Sequence, residues 1–316
     1  MKETVCGCKA SEWKPLFPVP DFDTGQYQRS LRSCQTCGIA QTYPMPSVSD
    51  ITQAYDENYY TSTGAKFNPI IEAWSRSAGR SRARKLLGQN KTRNSVLSVL
   101  DFGCGRGVLL DGFRSEGHDV QGIERADSGF DSLPDITSES LQELIALGKH
   151  FDIIVIWHVL EHLDEPEKTI AELRQLLSND GKLYVEVPNF GSIQAQLFRG
   201  HWFHLDIPRH LAHFTEDSLA RLMNQNKLRV SQTKTFSIDQ NLYGFIQSAL
   251  NSLPVLPENH LYGILKSGLS VKNLVILVLY SPLLTILTGF ALAELLVSQL
   301  LNKGAVLSLE LAKTDD

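Results

Sequence analysis

What most constrains this chain is an alternation that begins at Val96, where short apolar runs of strand length are separated by stretches of helical periodicity. Val96-Leu97-Ser98-Val99-Leu100-Asp101-Phe102 is almost continuously apolar, as a strand covered on both faces must be. Residues 119–124, 151–157 and 182–187 read as further strands, with helices over about 107–116 and 166–177. Residues 228–236 and 305–311 add two strands at the end. The pattern predicts an α/β fold with a doubly wound, parallel, Rossmann-like sheet.

In such sheets ligands bind beyond the carboxyl ends of the strands, beside the first strand. Asp101-Phe102-Gly103-Cys104-Gly105-Arg106-Gly107 occupies that place. A dinucleotide fingerprint needs its third glycine where this chain has Val108, so NAD is disfavoured. A sulfonium cofactor carries no pyrophosphate. It requires only that Gly103, Gly105 and Gly107 let the backbone approach its amino-acid part, whose carboxylate can use the next helix N-terminus. Glu124, 23 residues after Asp101, ends the second strand where a carboxylate can accept both ribose hydroxyls. Asp101 is expected near the cofactor ammonium. Taken singly, Asp101 also reads as a turn cap and Glu124 as an exposed strand end.

The run from Ser98 to Gly107, then Glu124, then Phe151-Asp152-Ile153-Ile154 leading into His158-Val159-Leu160-Glu161-His162-Leu163, resembles the class I S-adenosylmethionine-dependent methyltransferase superfamily, in particular its ubiquinone-type O-methyltransferase branch. The resemblance covers about residues 95–235 and the last strand. It implies a seven-stranded sheet, S-adenosylmethionine as cofactor, and adenine contacts near Ser138-Glu139-Ser140-Leu141. A looser similarity, through the N-terminal cysteines, Tyr55 to Tyr60 and the stretch 188–214, links the chain to zinc-bearing sugar C-methyltransferases. O- and C-methylation both stay open.

Methyl transfer to an activated carbon asks the protein to align an acceptor and remove its proton. Histidine suits that task at neutral pH, and six of the nine histidines lie between 158 and 213. Trp157-His158-Val159-Leu160-Glu161-His162 lies at the end of the strand 151–157 and brings Trp157, His158 and His162 to the cofactor rim. His162 or His158 is the expected general base, with Glu161 orienting an imidazole. A plainer reading has Glu161 and His162 anchoring the next helix. The H-x-x-E-H spacing also matches inverted zinc peptidases, but a strand end does not place both histidines on a helix face. The loop 199–211 combines aromatic, histidine, aspartate and arginine side chains that suit either a sugar-like acceptor or core packing.

Four of the five cysteines precede residue 38, in a proline-rich stretch too short of apolar residues to fold unaided. Cys6, Cys8, Cys34 and Cys37 are the expected ligands of a structural Zn²⁺, although Cys6-x-Cys8 is one residue tighter than the usual spacing; unrelated free thiols are the alternative. In the connector, Phe67, Ile70, Ile71 and Trp74 recur at helical spacing, and Arg76, Arg80, Arg82, Arg84 and Lys85 form either a solvated face or an anion patch.

Between Lys272 and Glu294 lie 21 uncharged residues, long enough to span a bilayer but interrupted by Pro282. A crossing helix would strand the last β-segment on the far side of the membrane. A helical hairpin over 270–301 lying on a membrane, a lid, or a homodimer interface avoids that conflict. The N-terminus lacks the apolar run of a secretory signal, which points to the cytoplasm, with the inner membrane face as a docking surface. A net charge of -5 gives no basic field for nucleic acid.

The expected organisation is a zinc module (1–48), a helical connector (49–94), the methyltransferase core (95–240), an apolar insertion (241–303) and a final strand with tail (304–316). The expected acceptor is a small or lipid-linked polar molecule: a nucleotide sugar, a glycan or a quinone-like ring. The competing class is a zinc- and membrane-binding interaction protein that keeps the cofactor fold without turnover.

Overall fold

The computed structural model describes residues 3–8, 12–55, 69–88, 95–125, 130, 133, 135–267 and 270–314. Phe67 and residues 56–60 of the tyrosine segment lie outside the described residues. The core is a seven-stranded sheet built from β4 (Ser98–Phe102), β5 (Asp119–Ile123), β6 (Ile136–Thr137), β7 (Phe151–Trp157), β8 (Leu177–Pro188), β10 (Leu228–Lys234) and β11 (Val306–Lys313). Its strand order is β10-β11-β8-β7-β4-β5-β6. The chain leaves β4 in one direction through β5 and β6, then returns to lay β7 on the other side. The crevice between β4 and β7 is therefore the topological switch point.

Period-two alternation sorts the apolar residues into two cores. Leu100, Ile154 and Ile156 point to the face covered by α4 (Leu141–Ala146), α5 (Pro166–Leu176) and α7 (Glu216–Gln225). Val99, Ile153 and Val155 point to the face covered by α2 (Pro69–Gly88) and α3 (Val108–Ser115). The nearly continuous apolar runs in the sequence have this cause: each strand buries both its faces.

One strand departs from the parallel arrangement that the alternation predicts. β11 is antiparallel to both β8 and β10. The excursion between β10 and β11, comprising α8 (Ile238–Asn251), α9 (His260–Ser267) and α10 (Val271–Leu300), leaves from the carboxyl end of β10 and re-enters at the same end, where Val306 pairs with Pro188. A strand entering from that end must run backwards. Gly304 makes the entry tight enough that an added Cβ would lie 1.9 Å from the Thr235 carbonyl oxygen.

The apolar insertion holds one continuous 30-residue helix, not a hairpin broken at Pro282. Proline removes the amide that would bond the Val278 carbonyl, and the Ser281 hydroxyl donates to that same oxygen at 2.7 Å. Near its end α10 packs on α8 through Ala291, Glu294, Leu295 and Ser298, whereas Leu279 and Phe290 are 72% and 62% exposed.

The N-terminal region forms a second, four-stranded antiparallel sheet from β1 (Trp13–Val19), β2 (Arg29–Cys34), β3 (Ala40–Tyr43) and β9 (Ala212–His213). β9 comes from the stretch that follows β8. Trp202, Leu205 and Ile207 bury against Val19 and Leu31 of this sheet, so the module is joined to the core through packing as well as through strand pairing. Trp202, His204 and Leu205 are all buried, and in this part the 199–211 loop serves as packing.

Candidate active site

The glycine loop is shaped by close approach. Gly103 has φ +77°, its amide bonds the Ile123 carbonyl at 2.8 Å, and an added Cβ would meet Val159 at 2.3 Å. Gly105 (φ +52°) donates its amide to Glu124 Oε2 at 2.7 Å, while Glu124 Oε1 accepts the Arg125 amide at 2.9 Å. Gly107, also left-handed, caps α3. Glu124 thus ties the end of β5 to the loop, and each of its oxygens keeps a second lone pair for a ligand hydroxyl.

Asp101 is only 3% exposed at the base of this loop. Burial pushes its carboxyl up to about 7; the Glu124 carboxylate adds to the shift and Arg82 opposes it. A cavity of about 300 Å³ opens over it, lined among others by Arg82, Asp101, Gly103, Cys104, Trp157 and Asp239. Arg82 comes from α2 and stacks over the Trp157 ring at 4.0 Å. A cation and a carboxylate facing one small cavity match the carboxylate and ammonium of a free amino-acid moiety. Burial also raises the Cys104 thiol, so that cysteine contributes a neutral wall. A second cavity of about 510 Å³ shares Arg82, Trp157 and Asp239 and extends along β8, β11 and β10 past Lys85, Tyr184 and Lys234.

Beyond Trp157 the chain turns sharply. His158 adopts φ +53°, its amide bonds the Glu186 carbonyl at 2.9 Å, and Leu160–His162 forms a single 3₁₀ turn. His158 lies between two buried carboxylates, with Nδ1 3.2 Å from Glu161 Oε1 and Nε2 3.4 Å from Glu186 Oε1. Burial opposes charge on His158, but Glu161 and Glu186 outweigh it and raise the imidazole to about 9. The two carboxylates thus favour the imidazolium form, which supplies a positive field at the end of β7.

His162 has a different environment. Its Nδ1 lies 3.0 Å from the Arg209 carbonyl and 3.2 Å from the Tyr55 hydroxyl, and its ring meets His210 edge to face at 4.6 Å. Arg209, buried at 4% exposure, bonds Asp206 at 2.7 Å, Asp23 at 2.6 Å and the Ala54 carbonyl at 2.7 Å. That fork fixes the end of α1 (Val48–Ala54) and with it Tyr55, whose ring also receives the Arg125 guanidinium at 4.6 Å. His213 sits in β9 against Thr42 at 3.1 Å, and burial drives it down to about 3.

The structure therefore brings Asp101, Gly103, Cys104, Gly105, Gly107, Glu124 and Trp157 around one crevice, with His158, Glu161 and His162 at the end of the adjoining strand. Cys6, Cys8, Cys34 and Cys37 gather elsewhere, their sulfurs all within 4.8 Å of one another. Sequence reading did not single out Glu186 or Asp239; it named Tyr55 and His210 only within a tyrosine segment and a histidine-rich loop, read Arg82 among cations forming either a solvated face or an anion patch, and left Arg209 among general loop residues. These come from remote segments, and only the i, i+3 spacing of Asp206 and Arg209 left a local trace.

A model of the methyltransferase domain family matches residues 74–233. The ubiquinone biosynthesis O-methyltransferase of Coxiella burnetii (strain RSA 493 / Nine Mile phase I) is 27% identical over 144 residues, 40% of this chain and 61% of that protein. The enzyme of the same name from Citrobacter koseri is 29% identical over 105 residues, 29% of this chain and 42% of that one. The chain thus spans about three fifths or less of these relatives' lengths. Among solved structures, a SAM dependent methyltransferase from Archaeoglobus fulgidus aligns with a TM-score of 0.47 at 19% identity, covering 75% of this chain and 94% of that one.

Proposed function

The chain belongs to the methyltransferase domain family, and from that premise we propose that it transfers a methyl group from S-adenosylmethionine to a small polar acceptor. The observation that carries this reading is the pairing of Asp101 and Arg82 across one cavity with Glu124 tied to the glycine loop beside it. Arg82 would take the cofactor carboxylate, Asp101 the ammonium and Glu124 the ribose hydroxyls. The bound sulfonium supplies an electrophilic methyl group. The protein's part is then to hold the acceptor in line, exclude water and draw off its proton. The cluster of His158, Glu161 and His162 at the end of β7 is suited to that last task, with cationic His158 stabilising negative charge that develops on the acceptor.

Two further parts extend the reading. The four thiols fit one tetrahedral Zn²⁺, whose ligands at about 2.3 Å stand about 3.8 Å apart, and such an ion would staple β1 to β3 and the segment 3–8. The exposed apolar length of α10 fits peripheral contact with the inner face of a membrane, from which a lipid-linked acceptor, such as a glycan carrier or quinone-like ring, would be drawn. Self-association along the same helix is the competing occupant.

Calorimetric titration of the purified chain with S-adenosylmethionine, S-adenosylhomocysteine and NAD tests the reading. Binding of the first two and not the third is expected. Folded protein that binds neither sulfonium nor thioether would refute it, and a His162→Ala chain that keeps cofactor affinity and full turnover would refute the assignment of the proton-handling cluster.

A further inference from the structure

We propose that the larger cavity is the acceptor site and that it selects an anionic acceptor, a hydroxy compound whose carboxylate or phosphate lies between Lys85 and Lys234. The acceptor role rests on the methyltransferase reading; the anion site itself does not.

The floor of this cavity is a row of side chains set by strand register. Trp157 pairs with Glu186, Glu186 with Ser308 and Ser308 with Lys234, across β7, β8, β11 and β10. Paired residues of neighbouring strands face the same side of a sheet, and all four line the cavity of about 510 Å³. Trp157 also lines the cavity over Asp101, so the row begins at the cofactor crevice and ends at a lysine. From Glu186 to Lys234 it crosses two strand spacings, about 10 Å.

The two ends differ in chemistry. At the cofactor end Glu186 is 4% exposed, and the Ser308 hydroxyl donates to its Oε2. Its Oε1 has no hydrogen-bond partner and stands 3.4 Å from His158 Nε2, which has none either. One acceptor hydroxyl can serve both atoms, donating to the carboxylate and accepting from the imidazolium. At the far end Lys85, in the last turn of α2, shares the wall with Lys234. The two cations repel: burial and Lys85 both lower the Lys234 ammonium, and Glu310 opposes them. Glu310 is itself shared with Lys182 at 3.3 Å. An anion lodged between the two lysines relieves that repulsion through charge-assisted hydrogen bonds. Tyr184, two residues before Glu186 on the same strand face, and Phe236 add aromatic walls that suit a flat body.

The test titrates the full chain by calorimetry, with and without S-adenosylhomocysteine, using 4-hydroxyphenylacetate, 4-hydroxyphenyl phosphate and neutral 4-hydroxyphenylacetamide. At least one anion is expected to bind about tenfold or more tighter than the amide. Lys85→Met and Lys234→Met should each remove that preference and leave S-adenosylhomocysteine affinity unchanged, since neither lysine lines the cofactor cavity. Arg76→Met, at an exposed position of the same helix, should keep it. Tighter binding of the phosphate assigns a phosphorylated acceptor and tighter binding of the carboxylate an acid; either supports the proposal. Equal affinity for the amide, no binding of either anion, or a preference that survives both lysine substitutions overturns it, and the wild-type comparison of the three probes decides this even where a variant fails to fold. Binding of S-adenosylhomocysteine without preference for the anions sinks only the anion site, and lysine-dependent anion binding without S-adenosylhomocysteine binding sinks only the methyltransferase reading.

Discussion

Replacing Asp101 by Asn removes the one buried carboxyl at the base of the cofactor loop while keeping its shape. Burial raises that carboxyl from its ordinary 3.8 to about 7 in the folded chain. A folded pKa above the unfolded one means that the native state binds the proton more tightly. The group therefore imposes no penalty below about pH 4, an increasing one between pH 4 and 7, and a constant one above. At 1.36 kcal/mol per unit, the full penalty is about 4 kcal/mol, of which about 2.5 kcal/mol develops between pH 5 and pH 8. Asparagine does not titrate. In urea denaturation of the cofactor-free protein, the stability difference between Asp101→Asn and wild type should thus shift in favour of the variant by about 2.5 kcal/mol from pH 5 to pH 8, and flatten above pH 7. Using the change with pH cancels any constant packing effect of the substitution. A difference that stays level across this range would refute the reasoning. The same variant should lose cofactor affinity, about tenfold or more, because the ammonium loses its counter-charge. In wild type, cofactor binding near pH 6.5 should release a proton, visible as a dependence of calorimetric heat on buffer ionisation enthalpy.

Glu124→Ala should weaken S-adenosylmethionine about tenfold or more through loss of the ribose acceptor, measured by calorimetry, and should also loosen the Gly105 turn that the carboxylate holds; unchanged affinity would count against the site. Cys34→Ser, or removal of metal by a strong chelator, should accelerate hydrogen exchange across residues 13–43 while the seven-stranded sheet stays protected, since the smaller sheet leans on the thiolate cluster; uniform protection would show that the cluster holds nothing together. Leu279→Glu with Phe290→Glu should reduce binding to anionic phospholipid vesicles about tenfold or more with little change in thermal stability, both side chains being exposed; a change in oligomeric state instead would assign α10 to a partner copy.

The parallel core and its cofactor loop were legible in the sequence because both depend on local regularities. Two-sided burial makes strands such as Val99-Leu100 and Ile153-Ile154 continuously apolar. Left-handed backbone at Gly103, Gly105 and Gly107 favours glycine, and the close approach of Val159 requires it at Gly103. The acidic ends of β4 and β5 follow at the spacing one helical crossover imposes. The reversed direction of β11 was not legible. A strand pattern has no sign, and direction depends on which end of the sheet the α8 to α10 excursion leaves and re-enters. Three N-terminal strands were also missed, since they are short and acquire much of their buried surface from β9 and from Trp202.

By itself the sequence determined the α/β class, the place of the glycine loop beside the crevice at β4 and the set of thiols that gather at the N-terminus. Each of these is written in side-chain periodicity or in residue types that one backbone conformation requires. Only the tertiary structure decided that Arg82 faces Asp101, that Glu186 joins Glu161 beside His158, that Arg209 fixes Tyr55 beside His162, and that His210 joins them. Those partners, Glu161 and His158 apart, stand 19 to 154 residues from one another along the chain. Charge, burial and hydrogen bonding at a site are properties of what meets in space, and no periodicity along the chain records them.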